Sequence, residues 1–109
     1  MLIDFDVMKE ITIPHLNDGE GAVSAKMYKD NTGKIMVSRI PVGASIGMHE
    51  QCTSNDINYV ISGTGLAICD GKEEALRPGN CHYCPQGSIH SIINTGNEDL
   101  VLFSVVTER

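Results

Sequence analysis

The stretch from Pro41 to Gly65, PVGASIGMHEQCTSNDINYVISGTG, decides the fold of this chain. It places His49, Gln51 and Asp56 between two glycine turns, on a pattern typical of paired strands. Because His49 and Gln51 are two residues apart, both side chains point to one face of an extended strand. The stretch therefore predicts a polar cluster carried on a β scaffold.

Short strands separated by turns continue on both sides of this stretch. Runs of strand-forming residues at 22–28 and 34–40 flank a turn at 30–33, and Asp70-Gly71 is a favoured two-residue hairpin turn. Residues 1–20 lack a clean period, so we expect an edge strand or arm there, with one helical turn near 6–11. Turn signals roughly every 8 to 12 residues and no useful helical pattern predict an all-β sandwich or barrel.

The composition limits the functional classes. With 109 residues the chain has the length of one domain, and 41% hydrophobic against 20% charged residues indicates a globular protein. A net charge of −6 with scattered basic residues disfavours nucleic acid as a partner. No apolar run reaches the roughly 20 residues of a membrane span, and the N-terminus lacks signal-peptide features. We therefore expect a cytoplasmic protein without a membrane partner.

Four cysteines raise the question of disulfides or a zinc site. The single CxxC pair, Cys81 and Cys84, lies in a predicted strand, where side chains three apart point to opposite faces and do not chelate one ion. A zinc knot also needs a second such pair or suitably spaced histidines. Free buried thiols are the interpretation that suits a reducing cytosol.

A second stretch, PQGSIHSIIN at residues 85–94, supplies His90. With Gly79, Pro85, Gly87 and Asn94 it completes the pattern G(X)5PXG(X)2H(X)3N. Residues 43–63 follow G(X)5HXH(X)3-4E(X)6G, with Gln51 at the second histidine and Asp56 at the glutamate. In these two motifs, of which eight of ten positions match, the chain resembles the cupins.

The resemblance implies a double-stranded β-helix, or jelly-roll, barrel spanning residues 1–109 as a single cupin domain. It also implies a divalent metal ion held by His49, Gln51, Asp56 and His90. Cupins include isomerases, dioxygenases, lyases, decarboxylases, storage proteins and sugar-binding regulators, so the fold alone leaves the activity open.

The types of ligand narrow the choice of metal ion. Imidazole suits several transition metals, whereas the amide oxygen of Gln51 is a harder ligand that favours Mn or Fe(II), with Zn or Ni as further options. Asp56 has about 1.5 Å less reach than a glutamate, so its backbone must approach or a water must bridge. A metal-free, hydrogen-bonded polar core is the alternative arrangement.

Three interpretations of the function follow from such a site. The first is a metal-dependent enzyme, of isomerase or dioxygenase type, acting on a sugar, a phosphomannose-isomerase-like sugar phosphate or a small organic acid. No general base is identified. The second is a non-catalytic module that binds a small molecule such as a carbohydrate, and a structural dimer with a decayed site is a third.

Two residues are candidates for contact with that ligand. Asn58 shares the strand face of Asp56. His82 is interpreted as a packing residue, unless the register of its strand turns it toward the cavity and makes it a ligand contact.

The outward faces predict an oligomer. The strand at 56–61 is apolar on both faces, with Tyr59 expected to point outward, and residues 100–106 behave in the same way. An apolar outer face needs a second layer to cover it. We therefore expect a homodimer.

Overall fold

The computed structural model describes residues 1–108, in which two antiparallel β-sheets enclose a shared core. Short 3-10 turns lie at Phe5–Val7 and Leu16–Asp18. Ten strands lie within the described residues: β1 (Ile11–Pro14), β2 (Ala22–Asp30), β3 (Gly33–Ile40), β4 (Ser45–Glu50), β5 (Ser54–Ser62), β6 (Gly65–Cys69), β7 (Lys72–Leu76), β8 (Cys81–Cys84), β9 (Ile89–Ile93) and β10 (Leu100–Glu108).

The strands divide into a large and a small sheet. The large sheet has the order β1-β2-β3-β10-β5-β8, and the small sheet has the order β4-β9-β6-β7. Both predicted hairpins are confirmed, as β2–β3 and β6–β7. The second turns at Asp70 and Gly71, whose φ angles of 50° and 80° give the twist that suits a tight two-residue hairpin. The predicted all-β jelly-roll barrel is confirmed.

The core lies between the two sheets because each strand presents alternate side chains to it. On β10, Leu100 and Leu102 are buried, while the intervening Val101 and Phe103 lie on the outer face. The central core residues come from both sheets: Val23, Ile40, Val60, Leu100 and Leu102 from the large one, and Ala67, Leu76 and Ile92 from the small one. This apolar floor supports the polar cluster described below.

The N-terminal arm covers part of the outer surface of the large sheet. β1 pairs with β2 at the sheet edge, which confirms the predicted edge strand. The helical turn lies at Phe5–Val7, slightly before the predicted position. The ring of Phe5 packs edge-to-face on Phe103, with 6.3 Å between ring centroids. Part of the apolar outer face is therefore covered by the chain itself. In residues 1–108 no helix has both the length and the apolar character to cross a membrane.

Candidate metal and ligand site

The two predicted ligand histidines are direct neighbours across a strand pair. His49 on β4 lies opposite His90 on β9, in the small sheet. The register shifts by one residue between Ile46 and His49, so β4 carries a bulge just before the histidine. A bulge re-aims the side chains that follow it, and here it sets His49 beside His90.

Four side-chain atoms from the predicted ligands converge at this point. The Nε2 atom of His49 lies 2.9 Å from Gln51 Oε1 and 3.2 Å from His90 Nε2. The Asp56 Oδ2 atom lies 3.3 Å from His90 Nε2. The ligand atoms of His49, Asp56 and His90 all lie within 4.8 Å of one another. Two imidazole nitrogens, an amide oxygen and a carboxylate oxygen form a donor set that fits a divalent cation.

His49 is oriented by a contact within its own strand. Its Nδ1 atom lies 2.8 Å from the carbonyl oxygen of Gly47, which only accepts hydrogen bonds. The ring hydrogen is therefore on Nδ1, and the lone pair of Nε2 faces the cluster. Gly47 is required here, because a Cβ at this position would overlap the carbonyl oxygen of Asn17 in the turn packed against β4.

Gln51 is held by backbone and side-chain bonds just after β4. Its backbone N–H donates to Ser88 O, its carbonyl accepts from Gly87 N–H, and its side-chain Nε2 donates to Ser54 Oγ at 2.9 Å. In this orientation Oε1 faces the lone pair of His49, an arrangement that a cation stabilises. The metal-free polar core instead requires the amide to be turned over, with its nitrogen donating to His49.

Asp56 reaches the cluster from the opposite sheet. It lies on β5, opposite Cys84 of β8, and its carboxylate contacts the ring of His90 despite being one methylene shorter than glutamate. The approach of the two sheets makes up for the shorter reach. The cluster therefore joins both layers of the barrel.

Behind His90, two further side chains continue away from the cluster. His82 Nε2 lies 2.9 Å from His90 Nδ1, and His82 Nδ1 lies 2.7 Å from Glu74 Oε1. His82 is 1% exposed and faces the interior. It does not line the cavity, where a ligand contact would place it. Its ring packs on His90 instead.

A cavity of about 320 Å³ opens next to the cluster. Its walls are mainly apolar, and its polar lining comes from the ligand residues and a few neighbours. The apolar lining includes Ile13, Val23, Met27, Met36, Ile46 and Ile92, and the polar lining includes His49, Gln51, Asp56, Asn58, His90 and Ser104. A pocket with apolar walls and convergent polar groups is typical of a small-molecule site.

Asn58 brings an unpaired donor to this cavity. Its side-chain oxygen accepts a 2.7 Å hydrogen bond from the hydroxyl of Ser104, and the residue is 3% exposed. Its Nδ2 atom has no hydrogen-bond partner within residues 1–108. A buried amide donor without a partner is costly, and a ligand oxygen in the cavity would satisfy it.

The two cysteines of the CxxC pair differ in exposure. Cys81 is exposed and Cys84 is buried, which confirms the prediction that they lie on opposite faces of β8. Burial raises the pKa of the Cys84 thiol to about 12, and burial also raises the pKa of Cys69, with the nearby Asp70 carboxylate adding to it. All four cysteines are free thiols, as predicted, but the prediction that they are buried is wrong for Cys52 and Cys81, which are exposed.

The four converging residues were predicted from the sequence, but the residues that hold them in place and complete the cavity wall were not. Glu74 and Ser54 were not predicted to contribute, nor was the wall formed by Ile13 and Leu16 from the N-terminal arm. One signal for Glu74 exists: it is two residues before the buried Leu76, so a charged residue occupies an inward position of a strand.

Comparisons with known proteins agree with this architecture. Residues 36–106 match the family model described as a cupin domain. The chain is 29% identical over 100 residues to an oxalate-binding protein of Thermotoga maritima, covering 86% of this chain and 83% of that protein. It is 31% identical over 74 residues to an uncharacterised protein of Methanocaldococcus jannaschii, covering 68% of this chain and 59% of that one.

Solved structures show the same fold. A crystal structure of a predicted oxalate decarboxylase from Thermotoga maritima superposes with a TM-score of 0.93 at 25% identity, covering 100% of both chains.

Proposed function

Because the chain belongs to the cupin family, we propose that it binds a small organic acid of the oxalate class on a divalent metal ion. The ion would be held by His49, Gln51, Asp56 and His90. The observation that carries this proposal is the convergence of four ligand atoms at the wall of a cavity. The names of a Thermotoga maritima relative, an oxalate-binding protein, and of a solved Thermotoga maritima structure, a predicted oxalate decarboxylase, support the ligand class.

The ligand set favours Mn or Fe(II), because two of the four ligand atoms are oxygens. When bound, the ion would supply positive charge and open coordination positions for a carboxylate oxygen. The protein's own atoms here are mainly hydrogen-bond acceptors, and Asp56 adds a negative charge. An organic anion next to Asp56 therefore needs a cation between them.

The remaining residues of the cavity orient the ligand. The free Nδ2 atom of Asn58 would donate to a second ligand oxygen, and the hydroxyl of Ser104 keeps the amide in that orientation. The apolar walls limit water and match a compact ligand better than a long chain. His82 would not touch this ligand, since it packs behind His90.

Within residues 1–108, the cationic side chain that lines the cavity is Lys34. A phosphate group is normally held by several cationic or N–H donors. The small organic acid therefore fits this lining better than the sugar phosphate, one of the two other substrate classes that the sequence left open.

Calorimetric titration of oxalate into the protein tests this function. The Mn²⁺-loaded protein should bind oxalate, and the chelator-stripped protein should not. Asn58→Leu should weaken oxalate binding about tenfold, by roughly 1.4 kcal/mol, and still take up Mn²⁺, which shows that its fold is intact. Equal oxalate binding with and without metal, or none in either form, would contradict the proposal. Formation of formate and carbon dioxide would show turnover and make the protein an enzyme.

We also propose a homodimer, on the basis of the apolar side chains that the N-terminal arm leaves uncovered. Tyr59 and Ile61 on β5 and Tyr83 on β8 are 46%, 47% and 52% exposed. Burying such a surface would stabilise a second copy of the chain against it. Light scattering should give twice the monomer mass of 11.8 kDa, and Tyr83→Glu should lower that mass. A monomer mass in the unmodified protein would refute the dimer.

The location proposed for the protein remains cytoplasmic. The free thiols of the structure, among them the exposed Cys52 and Cys81, are compatible with a reducing compartment.

A further inference from the structure

A chain of three side chains leads from the proposed metal site to the edge of the small sheet. The ring of His90 contacts His82 at 2.9 Å, and His82 contacts the carboxylate of Glu74 at 2.7 Å. The side chain of His82 has no solvent exposure, while that of Glu74 is 41% exposed. The middle of the chain is therefore buried and its outer end reaches the surface.

Glu74 reaches this position because it faces inward on an edge strand. It lies opposite the buried Ala67, whose small side chain leaves room beside it, and on the same face as Leu76. Its neighbour Glu73 is exposed on the other face of β7. A carboxylate on the inward face of a strand needs a hydrogen-bonded partner, and His82 is that partner.

The hydrogen-bond chemistry of these groups sets where the ring hydrogens lie. A carboxylate only accepts, so the hydrogen between Glu74 and His82 is on His82 Nδ1. In a neutral ring His82 Nε2 then accepts, and the hydrogen between the two rings is on His90 Nδ1. The lone pair of His90 Nε2 is left facing His49 and Asp56.

We propose that Glu74 and His82 are positioning residues that select the tautomer of His90 able to bind the metal. This inference rests on the proposed metal site and adds two residues that do not touch the ion. Partners of this kind, which orient a metal-bound histidine through its other nitrogen, typically change metal affinity by about 10- to 100-fold.

Loss of Glu74 has a specific consequence for this chain. Without the carboxylate, His82 is free to carry its hydrogen on Nε2 and donate it to His90 Nδ1. The hydrogen of His90 then moves to Nε2, where it faces the carboxylate of Asp56 at 3.3 Å. The nitrogen that should bind the ion becomes a hydrogen-bond donor.

The test compares variants at the two adjacent carboxylates. Glu74→Leu should weaken Mn²⁺ binding by about 10- to 100-fold in competition with a chelator. Glu74→Gln keeps a side-chain acceptor and should lose distinctly less. Glu73→Leu makes the same change in charge on the opposite face and should bind as the unmodified protein does. Equal affinities in all three variants, or an unchanged affinity in Glu74→Leu, would overturn the proposal.

A second readout does not depend on the metal. Long-range proton–nitrogen correlation spectra of the stripped protein should show His90 with its hydrogen on Nδ1, and on Nε2 in Glu74→Leu. The same tautomer in both proteins would overturn the inference. If the unmodified protein takes up no metal but the tautomer changes as expected, the proposed function fails while the coupling of Glu74 to His90 stands.

Discussion

The two histidines of the site are supported in different ways. His49 is oriented by the carbonyl of Gly47, two residues earlier on the same strand. His90 is oriented by His82, eight residues earlier on another strand, and by Glu74 beyond it. The support of His49 is therefore local and made of backbone, whereas that of His90 depends on the packing of three strands. Substitutions far from the site should affect His90 and leave His49 unchanged.

The largest expected effect is a difference in stability between the variants that lack His90 and His49. His90→Ala and His49→Ala should both abolish Mn²⁺ uptake, measured by elemental analysis. His90 is 0% exposed and its loss leaves His82 Nε2 without a partner, so unfolding in urea should show a cost of about 2–4 kcal/mol. His49 is only half-buried, and its loss should cost about 1 kcal/mol. Equal costs would contradict the difference in support.

The next test adds a third imidazole beside His49, the histidine that is oriented by its own strand. Gln51→His should raise Mn²⁺ affinity about tenfold, or roughly 1.4 kcal/mol, because imidazole is a stronger ligand than an amide oxygen. Gln86→His, in the exposed turn nearby, serves as the control and should leave the affinity unchanged. If Gln51→His also leaves it unchanged, Gln51 is not a ligand.

A smaller effect concerns the strand that carries His90. Asp70 accepts a 2.9 Å hydrogen bond from the backbone N–H of Ile89, and this bond, together with one to the Ser88 hydroxyl, holds its pKa below the ordinary 3.8. Because the folded pKa is lowered, the contribution to stability is present above about pH 4 and is lost as the pH falls through the folded value. Urea unfolding of Asp70→Asn should therefore depend less on pH between about pH 4 and pH 2. Parallel pH curves for both proteins would contradict this role.

The smallest effect reports on the burial of Cys84, which lies opposite Asp56. Burial raises the pKa of Cys84 to about 12, so almost none of it is thiolate at pH 8, and the thiolate is the reactive form. Iodoacetamide should modify the exposed Cys81 in the native protein and Cys84 only after unfolding, as read by mass spectrometry of peptides. Equal rates at the two thiols would contradict the burial of Cys84.

The sequence predicted the parts of the site that depend on spacing along one strand. His49 and Gln51 point to the same side, as alternation predicts, although Gln51 lies just after β4. The inward Asn58 next to the outward Tyr59 also follows from alternation and is confirmed by the structure. The meeting of His49 with His90 required the family motifs as well, because the two residues are forty-one positions apart.

The parts that were missed depend on how distant strands are placed. The contact of Glu74 with His82 could not be predicted from the run KEEAL, because it depends on how β7 and β8 are placed in the fold. The covering of Phe103 by Phe5 was also missed, since the N-terminal arm has no period that fixes its position. In both cases the side chains are brought together by tertiary packing.

The proposed metal site consists of four convergent atoms that hold one divalent ion. Protein stripped with a chelator, reloaded with Mn²⁺ or Fe²⁺ and freed of excess metal should be examined by elemental analysis. We expect one ion per chain, and none in His90→Ala. An absence of stoichiometric metal from the reloaded protein would contradict it and favour the hydrogen-bonded polar core.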